Sequence, residues 1–192
     1  MPRAGLTTGA VVDVALALVD EKGPDALSLA AVADRAGVAA PSLYKHVGSL
    51  ADLRDLIALK ALRQATARFA AAVMGRGGDQ AVEALMRTYR EYVREFPSRY
   101  RLIPLDPLHS PDLAEAGREL LAVFVAVMHE YGLDDAAATH AIRRMRAAAH
   151  GFADLEARGG FGMPEDIETS YDQVIDMVLR SLREPPAGGI AS

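Results

Sequence analysis

The stretch "GVAAPSLYKHV", residues 37–47, decides how the rest of the chain is read. Gly37 supplies the sharp exit that ends one helix. Pro41 sits where a first-turn proline loses no hydrogen bond, because an amide at that position has no helical partner in any case. A helix over Ala40–Val47 therefore follows its predecessor after a very short turn, of which Val38 is the apolar residue. Leu43 and Val47, one helical turn apart, form its core side and leave Ala40, Ser42, Tyr44, Lys45 and His46 to point away or sideways. Such a helix is an exposed reading head.

Outward from it, the punctuation is helical on both sides. Upstream, Ser28 caps a second helix, Leu29–Ala36, whose Leu29, Val32, Ala33 and Ala36 recur at helical spacing. The first helix starts at Thr7 or Thr8 and runs to about Lys22, before Gly23 and Pro24 stop it; Val11, Val12, Ala15, Leu16, Leu18 and Val19 form its buried stripe. Downstream, Gly48 and Ser49 break and recap the chain into a long fourth helix from Leu50, ended by "GRGGD" at residues 75–79. Further helices are expected over Gln80–Glu95, a short piece near Arg99–Leu102, Pro111–Tyr131, Asp134–Ala157 and Pro164–Arg183. Pro97, Pro104, Pro107 and Pro111 exclude a long regular helix between residues 96 and 112. The tail "EPPAGGIAS" reads as disordered.

Composition agrees with an all-α chain of about nine helices. Ala, Leu and Arg abound, aromatic residues are only 6%, and β-branched runs bounded by turn residues are hard to find, so no strands are expected. The absence of cysteine excludes disulfides, thiol catalysis and thiolate metal sites, and fits a reducing compartment. The apolar stretch Ala10–Val19 is interrupted by Asp13 and too short to span a bilayer, and no cleavage site follows, so a cytoplasmic protein without membrane contact is expected. The formal charge of −5 divides unevenly: residues 1–76 hold nine Lys/Arg against seven Asp/Glu, net +2, and the remainder twelve against nineteen, net −7. A weakly basic module on an acidic body is the implied layout.

Helix, glycine-containing turn, helix, with polar side chains on the second, is the helix-turn-helix pattern. The residues "LSLAAVADRAGVAAPSLYKHVGSLADLRDLI", 27–57, resemble the DNA-binding domain of the tetracycline-repressor (TetR) family of bacterial transcription regulators. A second likeness lies at residues 145–182, similar to the TetR C-terminal domain type named for a Trp-His-Gly motif; here His150 and Gly151 stand without a tryptophan. The resemblance implies a DNA-binding domain over residues 1–50, a helical effector-binding and dimerisation domain over 51–184 and a tail over 185–192. It further implies a homodimer on a pseudo-palindromic double-stranded DNA operator, from which a small molecule releases it.

The reading head has a chemistry of its own. The Tyr44 hydroxyl and Lys45 ammonium suit backbone phosphates, and the resemblance makes Tyr44 the family's phosphate-binding tyrosine. Tyr44 can equally seal the edge of the small core. Ala40, Pro41 and Ser42 come first on the helix, where base edges and thymine methyls lie within reach, although Ser42 can also serve as a cap. His46 can donate to a phosphate when protonated, or sit as a packed structural group. Ser28 can place amides and a hydroxyl against a phosphate while capping its helix. Where many family members carry a phosphate-gripping lysine at the start of the fourth helix, this chain has Leu50, and its first basic residue there is Arg54.

In the body, apolar stripes run through Ile142, Met145, Ala149 and Phe152 on the eighth helix and Ile167, Tyr171, Val174, Val178 and Leu182 on the ninth. By resemblance the dimer interface takes Ile142, Ala149, Phe152, Tyr171, Val174, Val178 and Leu182; an intrachain core competes for the same residues. The effector pocket should lie among helices four to eight. Its candidate lining is Phe69, Met86, Tyr89, Tyr92, Phe96, Tyr100, Phe124, Met128 and Met145, which suits a hydrophobic or aromatic molecule, and each of these could also be ordinary core. No cofactor or metal is expected. His109, His129, His140 and His150 are scattered and no nucleophile elbow or phosphate-cradling loop occurs, which argues against a helical enzyme. A regulator acting through protein partners, without a small-molecule inducer, is the remaining alternative.

Overall fold

A computed structural model describes residues 6–106 and 109–183. The described residues form nine α-helices and no strand: α1 (Thr8–Lys22), α2 (Leu29–Ala36), α3 (Ala40–Leu43), α4 (Leu50–Val73), α5 (Gly78–Glu95), α6 (Pro97–Tyr100), α7 (Pro111–His129), α8 (Asp135–Ala157) and α9 (Ile167–Arg183), with a 3-10 turn at Pro24–Ala26. The all-α expectation therefore stands. The expected disordered tail and Pro107 lie outside the described residues.

Several boundaries differ for identifiable reasons. The third helix ends at Leu43, not Val47: the amides of His46 and Val47 both reach back to the Leu43 carbonyl, at 2.8 and 2.9 Å, and this tightens the chain into a turn. The ninth begins at Ile167, not Pro164, because the Asp166 carboxylate caps it, accepting from the Thr169 amide at 2.9 Å and the Thr169 hydroxyl at 2.7 Å. The short sixth helix starts two residues early, with Pro97 in its first turn.

The chain divides into two compact units, residues 1–64 with 96–118, and residues 65–95 with 119–192. The first has a core of Val11, Val12, Ala15, Leu16, Leu18, Val19, Leu27, Val32, Ala33, Leu43, Val47, Leu53 and Ile57. This is the stripe expected of α1, closed by α2, by Leu43 of α3 with Val47, and by the start of α4. At roughly 25 cal/mol per Å² of apolar surface, such burial is what holds so small a module together. α6 packs on α1 within this unit. There Arg99 makes a two-pronged pair with Asp20.

The second unit is built around α5, α8 and α9. Tyr171, fully buried, donates its hydroxyl to the Met86 carbonyl at 2.5 Å, and burial pushes its phenol pKa up. No described helix is long and apolar enough to cross a membrane.

Candidate nucleic-acid interface

The candidate reading head, α3 with the turn after it, is positioned by backbone chemistry at both ends. Gly37 takes φ +67° and ψ +33°, the left-handed conformation that costs other residues roughly 1–2 kcal/mol. Its amide bonds the Asp34 carbonyl at 3.0 Å, and the Val38 amide bonds the Ala33 carbonyl at 3.0 Å, the double closure of a Schellman end. Val38 and Ala40 turn inward and pack on the core. On the far side, the Thr8 hydroxyl at the start of α1 donates to the His46 carbonyl at 3.4 Å. The Ser49 hydroxyl accepts from the Asp52 amide at 3.0 Å and starts α4. The turn is therefore held by its neighbours on each side.

What the head presents follows from that frame. Pro41, Tyr44 and Lys45 are exposed, Tyr44 by 59%, far more than a tyrosine sealing a core edge. Ser42 and His46 are half-buried, and Ala40 is mostly spent on the core. The Ser28 hydroxyl accepts from the Ala31 amide at 3.2 Å, so its capping role is realised. Arg35 is neutralised by Glu21 at 2.5 Å, whose carboxyl pKa that partner lowers, whereas Lys45 makes no ion pair among the described residues. Of the two threonines expected to start the first helix, Thr7 is the cap, accepting from the Ala10 amide at 3.1 Å, and Thr8 makes the long-range contact to the His46 carbonyl, of which the sequence gives no sign. Ala39, the N-terminal flank of α3, is also exposed, and nothing in the local sequence separates it from the half-buried Ala40.

The body candidates separate. Phe69, Met86, Tyr92, Phe124, Met128 and Met145 are buried in the second unit, and Phe69 stacks at centroid distances of 6.0 Å on Tyr89 and 5.2 Å on Phe124. Phe96 and Tyr100 belong to the first unit, where the Phe96 ring lies 4.3 Å from the Arg99 guanidinium carbon. A surface groove of about 450 Å³ between α4 and α5 is lined by Arg76, Glu83, Arg87 and Glu91 among others, and Arg87 in it is held by Glu83 and Asp172 at 2.8 Å each. Its polar lining does not suit an aromatic molecule. Of the dimer candidates, Ile142, Ala149, Tyr171, Val178 and Leu182 are buried within the single chain, which leaves Phe152 and Val174 with surface of their own. The exposed large apolar residues of α8 and α9 are instead Leu155, at 51%, and Met177, at 58%. Helical periodicity marked the stripes but not which side of them faces out.

Comparison with known proteins accounts for this architecture. Residues 11–56 match a family model described as "Bacterial regulatory proteins, tetR family", and residues 82–178 match one described as "Tetracyclin repressor-like, C-terminal domain". An uncharacterized HTH-type transcriptional regulator of Mycobacterium tuberculosis, Rv0681, is 36% identical, with the alignment covering 98% of this chain and 88% of that protein. A solved structure of a protein of unknown function from Rhodococcus sp. RHA1 superposes with a TM-score of 0.81 at 22% identity, over 95% of this chain and 98% of that one. The Streptomyces coelicolor TetR family protein ActR, solved in complex with actinorhodin, superposes with a TM-score of 0.69 at 19% identity, over 93% and 97%. With a helix-turn-helix module matched at one end and a repressor-like C-terminal domain at the other, the chain belongs to the TetR family of transcriptional regulators.

Proposed function

We propose that this regulator, a DNA-binding protein and not an enzyme, is a homodimeric repressor that a small hydrophobic or aromatic effector releases from a pseudo-palindromic operator. The observation that carries the reading is the exposure of Tyr44 and Lys45 beside Pro41, on a turn whose backbone is fixed at both ends. In this reading residues 1–50 bind DNA: Tyr44 and Lys45 hold phosphates, and Ser42 with its neighbours faces the bases. Residues 51–184 take the effector and the second subunit.

Two observations favour the remaining parts. The aromatic group of Phe69, Tyr89 and Phe124 lies in the body, and ActR, of similar fold, holds actinorhodin. On α8, Ala147, Gly151 and Leu155 recur four residues apart, and on α9 Val174, Met177 and Ser181 follow a similar spacing, an uncharged face of small and apolar side chains. Nothing lies within 4 Å of where a Cβ on Gly151 would sit, so a partner helix has room to approach. Leu155→Arg should yield monomers by sedimentation.

The direct test is fluorescence anisotropy with the duplex flanking the protein's own gene, against scrambled duplex and a Tyr44→Ala/Lys45→Ala variant. Selective binding that fades with salt and fails in the variant is expected. Release is read by adding actinorhodin and related aromatic compounds: a compound that raises thermal stability with concentration should also weaken the complex. Unchanged operator affinity at saturating compound would leave the regulator without effector release, and would favour control through protein partners.

A further inference from the structure

Resting on the reading head just proposed, we infer that the protein recognises its operator chiefly through the C5-methyl group of thymine, met by Ala39 and Pro41, and not through hydrogen bonds to base edges. The inference comes from an inventory of what the head can offer. Side chains that name a base by paired hydrogen bonds are few: Asn and Gln for adenine, Arg or Lys for guanine, Asp or Glu for cytosine. The chain has no asparagine at all, and its first glutamine is Gln64, outside the helix-turn-helix segment. Arg35 on α2 is occupied by Glu21. From the turn through α3 the sequence is Val38, Ala39, Ala40, Pro41, Ser42 and Leu43.

Packing reduces this set further. Leu43 is fully buried, and Val38 and Ala40 lie against the same core. Ala39 and Pro41 remain as the exposed groups, with Ser42 half-buried beside them. The serine hydroxyl both donates and accepts, so it bonds to more than one base and separates them poorly. A methyl group on Ala39 and the ring methylenes of Pro41 complement one major-groove feature, the thymine methyl, which no other natural unmodified base carries. Among the exposed side chains of the described head, Lys45, on the turn after α3, is the one that could name guanine instead.

The experiment uses the intact protein and the duplex it selects from a random pool. Each thymine of the selected site is replaced singly by deoxyuridine, which removes the methyl and keeps every hydrogen-bonding group. At one or two positions in each half-site, symmetrically placed, affinity should fall about fourfold per methyl, the effect of one buried methylene-sized group. At those positions a 5-methylcytosine·guanine pair should bind better than cytosine·guanine. An Ala39→Gly variant, tolerated at a helix start, should lose the sensitivity at one position and keep it elsewhere. Parent-like binding of every deoxyuridine duplex would overturn the inference while leaving the DNA-binding reading intact. So would a larger loss from 7-deazaguanine, which would assign the reading to Lys45. Failure to select any sequence would overturn the operator reading itself, and this inference with it.

Discussion

Arg99 on α6 closes its guanidinium fork on the Asp20 carboxylate of α1, Nε to Oδ1 at 2.8 Å and Nη2 to Oδ2 at 2.5 Å, while Nη1 reaches Gln64 Oε1 at 3.2 Å. The two side chains are 19% and 31% exposed, sheltered beyond an ordinary surface pair but open enough for solvent to screen them. A short helix of four residues has little packing of its own, so the pair fixes where α6 sits on α1. A double-mutant cycle with Asp20→Asn and Arg99→Gln should give a coupling of about 1 kcal/mol by urea denaturation. A coupling near zero would mean that apolar packing alone seats α6.

A second arginine is more deeply committed. Arg90 on α5 is 5% exposed and bonds Glu156 of α8 at 2.6 and 2.8 Å and Glu168 of α9 at 2.7 and 2.9 Å, with its guanidinium 4.9 Å from the Tyr171 ring centre. Glu156 is only 13% exposed, so Arg90→Met leaves a carboxylate with little water and only the looser Arg94 pair, at 3.6 Å, in place of two short hydrogen bonds. The expected loss is about 3 kcal/mol at neutral pH, most of it recovered in Arg90→Met/Glu156→Leu, where no buried charge remains. Equal denaturation midpoints for the single and double variants would show that the cost lies in lost packing.

Acid should loosen the second unit at identifiable places. The hydrogen bond from Arg183, and then that from the Tyr131 hydroxyl at 2.7 Å, hold the Asp79 carboxyl below the usual range, as Arg90 does for Glu168. Such a group binds its proton more readily in the unfolded chain, so its contribution is whole above the ordinary carboxylate pKa of about 4 and disappears as pH falls through the lowered folded value. Urea midpoints taken from pH 6 to pH 3 should therefore decline, and Asp79→Asn should be less stable at pH 6 with a shallower decline. A variant whose midpoint runs parallel to the parent's throughout would remove Asp79 from the account.

How much of this the sequence could disclose depended on distance along the chain. Gly37, Val38, Pro41 and the caps Ser28 and Ser49 act within about five residues, so rules of backbone sterics and hydrogen bonding located them. The stripe from Val11 to Val19 follows from helical periodicity and proved buried throughout its six residues. The Arg99 and Asp20 pair spans 79 positions and leaves no local trace. Likewise, Tyr171 and Met177 sit on one helix with similar apolar character, and only the packing of α5 and α8 decides that the first is buried and the second exposed. The end of α3 differs from the expected one because the amides of His46 and Val47 converge on the Leu43 carbonyl, a closure that the apolar spacing of Leu43 and Val47 fits as well as it fits a helix.

Tyr44 and Lys45 can be told apart at the operator by salt. An ammonium on a phosphate displaces counterions, whereas a neutral phenol donates a hydrogen bond without displacing any. Lys45→Ala should weaken binding to all duplexes alike and lower the slope of log affinity against log salt by about 0.9 per protomer, about 2 for a dimer engaged at both half-sites. Tyr44→Phe should lose about 1 kcal/mol per hydrogen bond and leave the slope where it was. Both are read from anisotropy titrations between low and physiological salt on the selected operator. An unchanged slope in Lys45→Ala, combined with lost preference between sequences, would move the lysine from the phosphates to a base edge. The operator code would then rest on a cation at guanine and not on methyl contacts at Ala39 and Pro41.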